Sequence, residues 1–190
     1  EKFPVHLKNM FQLMGNDEKK ATGSASLFMN LETTLAKASR KREDTRDPLQ
    51  NYHKMTVAEL QQMTPAFDWN TFFTECGLQD VDTVIVGQPE VLKALNTMLE
   101  KNSMDMWKDY LRYHLVRGLA SYLDDNTYKE TFSFFSTTLR GVTEPKPRWK
   151  RVTDQTNSAL GELIGQVYVD EFLPKGTKEK LTEIGNAIKD

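Results

Sequence analysis

Met104-Asp105-Met106-Trp107-Lys108-Asp109-Tyr110-Leu111-Arg112-Tyr113-His114-Leu115-Val116-Arg117-Gly118-Leu119-Ala120-Ser121-Tyr122-Leu123 is the stretch on which the fold class turns. Trp107, Leu111, Leu115, Leu119 and Tyr122 recur at spacings of three and four. That period places them on one stripe of a helix, and the stripe is expected to form part of the core.

The same period recurs on both sides of this stretch. Phe3, Leu7, Met10, Phe11 and Met14 predict a helix that Gly15 stops, and Leu27, Phe28, Leu31, Leu35 and Ala38 predict another starting near Ser24. The second runs into Arg40-Lys41-Arg42-Glu43-Asp44 and is expected to break at Arg46-Asp47-Pro48, because proline disfavours helical geometry at the residue before it. Thr56 to Glu59 and Thr127 to Glu130 read as capping boxes, Asp68 as an N-cap before Trp69, Phe72 and Phe73, and Pro89 as a first-turn residue. A helix over 148–172 stopping before Pro174, and a last one capped by Thr177 and reaching Asp190, complete the series. Val84-Ile85-Val86 is the one β-like run. The expected class is all-α, a single multi-helix domain over 1–190 with about seven to nine helices and at most one short strand.

Composition fits one such domain. The chain has 190 residues, about 1.3 times an average domain of roughly 150. With 25 Lys and Arg against 27 Asp and Glu it carries a net charge of -2, which offers no bulk attraction to nucleic acid or an anionic membrane. No apolar run approaches the roughly 20 residues of a membrane span. Cys76 is the only cysteine, so no internal disulfide framework or cysteine-based zinc cluster is available. The start, Glu1-Lys2-Phe3-Pro4, has neither an initiator Met nor a signal-peptide core, and the chain is expected to be a piece of something longer.

Chemistry-bearing motifs are scarce. His6, His53 and His114 lie far apart in sequence and none has the i, i+4 partner of a zinc-binding helix. His114 is read as a structural histidine. Asp80-Val81-Asp82 opens like a calcium loop, but Ile85 stands where glycine belongs and Val91 where the bidentate glutamate belongs. Val84 to Pro89 has a strand-to-helix outline without the glycines of a phosphate cradle. Cys76 has acidic rather than basic neighbours and is read as a core or helix-end residue. Lys146-Pro147-Arg148-Trp149-Lys150-Arg151 is the densest cationic stretch. A phosphate or base contact there is the minor reading, and Trp149 is expected to anchor into the core. No catalytic or metal-binding residue is assigned, and substrate-binding residues are not identifiable.

Read as a block, Pro147-Arg148-Trp149-Lys150-Arg151 followed by Asn157, Leu160-Gly161, Ile164-Gly165 and Val167-Tyr168-Val169 resembles the neprilysin and endothelin-converting-enzyme family of zinc metallopeptidases. Upstream, Leu31-Glu32-Thr33, Arg46-Asp47-Pro48 with Tyr52, Met55-Thr56, Phe67-Asp68-Trp69, Val84 to Pro89 and Leu139 to Gly141 follow the family's order. The resemblance covers nearly the whole chain and implies the family's N-terminal region, a helical lid that encloses the substrate cavity and limits substrates to peptides. It implies structural roles for Arg46, Asp47, Trp69, Trp149, Arg151, Asn157, Gly161, Gly165 and Tyr168.

Missing are HExxH, the downstream ExxxD and the Asn-Ala-x-Tyr substrate strand. Zinc is therefore expected only in a catalytic domain elsewhere on the parent chain, which becomes the lid's partner together with the peptide substrate. Gly161 and Gly165 permit close backbone approach, and internal packing is the expected use. The family implies an extracytoplasmic location. One cysteine and no Asn-x-Ser/Thr sequon argue for a bacterial member, for which the resemblance implies the periplasm, the cell envelope or secretion, with a cytoplasmic setting as the alternative. The alternative is a self-standing helical interaction module whose exposed aromatic and Met residues receive a partner.

Overall fold

The computed structural model describes residues 1–189 and divides into two compact units, Glu1–Gly141 and Val142–Asp190. In the first, the apolar period of the opening residues forms α1 (Lys2–Leu13), and Gly15 at φ +92° turns the chain into α2 (Glu18–Ala38). A Cβ would be strained at that φ, so glycine suits the turn. α2 begins at Glu18 rather than near Ser24, because the Asp17 side chain accepts from the Lys20 amide and caps it there. It also ends at Ala38, before the charged run and well short of Asp47-Pro48.

A short 3-10 turn, Asp44–Arg46, leads to β1 (His53–Thr56), α3 (Val57–Met63), α4 (Trp69–Glu75) and β2 (Thr83–Val86). Two strands are thus present among the described residues, where at most one was expected. β1 and β2 pair antiparallel with His53 opposite Val86 and Met55 opposite Val84, and the Val57 amide donates to the Asp82 carbonyl at 2.9 Å. α5 (Pro89–Lys101) begins on its proline, and α6 (Met104–Leu119) is capped by Ser103 and followed by a 3-10 turn, Ala120–Tyr122. α7 (Asp125–Phe132) continues into a π-helical turn, Ser133–Thr138.

Two expectations for this unit need correcting. Thr127 and Glu130 do not form a capping box: Asp124 caps α7, accepting from the Asn126 and Thr127 amides and from the Thr127 hydroxyl. Glu130 is drawn instead to α1. Nor do Leu111, Leu115 and Leu119 of α6, or Tyr122 in the turn after it, enter the core, since all four are exposed. The buried row is Met106 and Tyr113, with Trp107 and Tyr110 packed beside them.

The core gathers Leu7, Met10 and Phe11 of α1, Ala21, Ala25 and Phe28 of α2, and Tyr113 of α6. The two alanines, one turn apart, let α1 approach α2 closely, and each large side chain buried there contributes about 1.5–3 kcal/mol. Leu31, Met98 and Met106 form a second cluster joining α2, α5 and α6. The second unit contains α8 (Arg148–Phe172) and α9 (Thr177–Lys189), and none of their residues is buried. α8 starts after Pro147 and ends at Leu173 before Pro174, as the proline punctuation predicts. Asp190, the expected end of the last helix, lies outside the described residues.

Candidate functional site

His6, on α1, is buried at 2% exposure. Its Nδ1 lies 2.9 Å from Glu130 Oε1 and its Nε2 lies 3.1 Å from the Tyr113 hydroxyl. The carboxylate accepts, so Nδ1 carries the proton and Nε2 accepts from tyrosine. Burial holds the imidazole below its ordinary value against the opposing pull of Glu130, and burial pushes the Tyr113 phenol up to about 12. The Phe134 ring stacks on the imidazole at 4.8 Å, while Asn9 Nδ2 donates to the other Glu130 oxygen. Both imidazole nitrogens are occupied. The cluster locks α1, α6 and α7 together and has no free base to offer a substrate.

An apolar cavity of about 490 Å³ opens between α3, α4, β2 and α5. Leu60, Trp69, Phe72, Phe73, Val84 and Val91 give it aromatic and aliphatic walls. Trp69 is fixed there by its indole N–H, which donates to Thr64 Oγ1 at 2.8 Å. The polar groups at the rim are engaged: Gln88 accepts from the Arg40 amide, and the Ser39 hydroxyl donates to Leu35. Arg40 itself grips Glu90 through two nitrogens and reaches the Gln50 carbonyl and the Asn51 side chain. The Glu90 carboxyl is held below the usual range by its own backbone N–H and then by Arg40. Such a cavity can hold an apolar side chain; it supplies no acid, base or nucleophile.

The residues singled out in the sequence divide between the two units. Asp47 accepts from the Leu49 and Gln50 amides, and its carbonyl accepts from Asn51, so it shapes the loop that meets Arg40. Arg46 is exposed beside it, and Trp69 forms a cavity wall. Trp149, Arg151, Asn157, Gly161, Gly165 and Tyr168 all lie on α8. Trp149 is 66% exposed, not a core anchor, and Lys150 rides over its ring at 5.3 Å. Beyond the adjacent residues and the helix's own backbone, no atom of the described residues lies within 4 Å of a Cβ built at Gly161 or Gly165, so the expected internal packing is not found at this pair. Tyr168 stacks on Phe172 at 5.6 Å, and Lys146 pairs with Asp154 at 2.7 Å.

His114 is half-exposed against Tyr110 and Phe28, with Nε2 3.9 Å from Glu32, too far for a hydrogen bond. Cys76 closes α4 as an exposed C-cap. Sequence reasoning missed His6, whose partners lie more than a hundred residues away; Glu130, taken for a cap, was the available signal.

The whole chain, residues 1–190, matches the N-terminal profile described as peptidase family M13. The chain belongs to peptidase family M13. Human endothelin-converting enzyme 1 is 29% identical over 182 residues, covering 93% of this chain and 24% of that protein. Mouse neprilysin is 28% identical over 186 residues, covering 92% and 25%. The open-state cryo-EM structure of Mycobacterium tuberculosis zinc metalloprotease Zmp1 superposes with a TM-score of 0.86 at 28% identity, covering 97% of this chain and 29% of that one. This M13 chain therefore spans about a quarter of the length of the relatives it matches.

Those relatives make zinc the metal to test against the residues present. Among the described residues, no group of three or more His, Cys, Asp or Glu is placed to hold a metal ion. His6 is occupied on both nitrogens and His53 Nδ1 is bound to the Val86 carbonyl. The described residues do not fit a zinc site. No described helix is long and apolar enough to cross a membrane.

Proposed function

We propose that both units belong to the helical lid of a neprilysin-like zinc metalloendopeptidase, enclosing the active-site cavity and limiting substrates to peptides. The catalytic portion of the parent polypeptide supplies zinc and the cutting residues and is the lid's partner. The observation that carries this reading is the match of the entire chain to about a quarter of enzymes such as endothelin-converting enzyme 1 and neprilysin. The predominantly helical build supports a part that shapes access while another part of the parent polypeptide cuts. Asp47 and Trp69 act structurally, as their backbone and side-chain bonds support. We assign the same kind of role to Arg46, Trp149, Arg151, Asn157, Gly161, Gly165 and Tyr168. The setting we assign is extracytoplasmic.

The test is hydrolysis by the full product of the gene, using one cleavable sequence presented first as a short peptide and then within a folded protein. The expected result is chelator-sensitive cleavage of the peptide, with kcat/KM falling by about tenfold or more in the folded context. Equal rates on the two substrates would remove the size-limiting role.

A further inference from the structure

α6 is apolar on two opposite sides. Tyr113 and Leu115, two residues apart, are separated by about 200° around the helix axis, so the side that buries Tyr113 turns Leu115 away from the core. Leu111, Leu115 and Leu119 follow one another at four-residue spacing and are 63%, 62% and 44% exposed. Met104, 68% exposed, extends the row to about 22 Å, and Tyr122, 66% exposed, follows in the 3-10 turn beyond the helix end. Single exposed leucines are ordinary; four large apolar residues on one face of a helix mark an interaction surface. Lys108 and Arg112, one turn apart and exposed, flank the row. Lys108 pairs with the exposed Asp105 carboxylate at 3.8 Å.

We infer that this outer face of α6 seats the catalytic portion of the parent polypeptide, through an apolar surface bordered by carboxylates that meet Lys108 and Arg112. The inference rests on the lid reading above and names the surface through which the lid meets its partner. Roughly three quarters of the length of the relatives lies outside the matched region, ample polypeptide to cover one helix face. The apolar row drives burial, and the cationic flank sets orientation and selects an acidic rim. A helix face of this kind is convex, which suits a protein surface rather than a small ligand.

The experiment measures maleimide labelling of Leu115→Cys in a Cys76→Ser background, in the 190-residue chain and in the full gene product. Lys19→Cys, exposed on α2, serves as the reference. The Leu115→Cys rate is expected to fall by about tenfold or more in the full product while the Lys19→Cys rate holds. Equal Leu115→Cys rates in the two proteins, or slow labelling already in the 190-residue chain, overturn the inference. A second variant, Leu115→Glu, is expected to leave the melting temperature of the 190-residue chain unchanged and to lower that of the full product; an equal loss in both overturns it too. Chelator-sensitive peptide hydrolysis is measured on the same full product without substitutions. Its absence removes the lid reading, whereas its presence beside fast Leu115→Cys labelling removes only this assignment of surface.

Discussion

Tyr113 of α6 and Leu163 of α8 both sit in helices with apolar residues at helical spacing, yet Tyr113 is 1% exposed and Leu163 is 59% exposed. Around Tyr113, α1 and α2 supply Phe11 and Phe28, and His6 accepts its hydroxyl hydrogen. No residue of α8 or α9 is buried. The contrast teaches that helical periodicity reports which face wants cover, not what covers it. α6 repeats the lesson within one helix, since one apolar row is enclosed and the opposite row is open.

The sharpest way to break the comparison is to truncate one residue of each kind. Tyr113→Ala should cost about 3–5 kcal/mol, the range for emptying a large aromatic site in a core. Leu163→Ala should stay within about 0.5 kcal/mol, as for an exposed position. Urea unfolding followed by far-ultraviolet circular dichroism measures both, and similar costs would mean that α8 is buried in solution.

His6→Leu should come next, at about 1–3 kcal/mol, because it deprives Glu130 Oε1 and the Tyr113 hydroxyl of their imidazole partner in a largely enclosed site. The same residue sets a pH dependence. His6 and His114 are both held below 6.5 by burial, so the folded state binds fewer protons than the unfolded state. Stability from these groups is complete above about 6.5 and is lost as pH falls through that value toward the lower folded-state values. Unfolding midpoints measured from pH 7.5 to pH 5 should decline, and His6→Leu should flatten the decline. An unchanged slope would show that His6 does not titrate differently on folding.

Smaller effects sharpen the contrast. Thr56→Ala removes the hydroxyl that accepts from the Glu59 amide in the capping box of α3 and should cost about 1 kcal/mol by the same unfolding measurement. Gly161→Ala should act in the opposite direction and stabilise by about 0.5–1 kcal/mol, since the added methyl meets nothing and the mid-helix glycine entropy cost is removed. A loss of stability at Gly161 would reveal a close neighbour on that face of α8.

Features fixed by a few consecutive residues were legible in the sequence. Pro89 opens α5 through its own ring, and Asp68 caps α4 and Thr56 with Glu59 closes the capping box through bonds that span three positions. β1 was not legible, since His-Lys-Met-Thr has little β signal and becomes a strand only opposite Thr83–Val86. Thr127 and Asp124 competed for one helix start. Asp124 prevails because its carboxylate serves two amides and a hydroxyl, while Glu130, needed for the Thr127 box, is committed to His6. The cavity beside Trp69 draws on four separate elements, so the motif exposed the tryptophan but not the space in front of it. The family order of short motifs was readable because it does not depend on which faces are covered.

Side-by-side peptide hydrolysis by the 190-residue chain and by the full product of its gene, with and without a zinc chelator, bears most directly on the division between lid and cutting site. The account predicts no turnover by the 190-residue chain, and turnover by the full product that the chelator removes and added zinc restores. Chelator-sensitive cleavage by the 190-residue chain alone, or none by the full product, would contradict it.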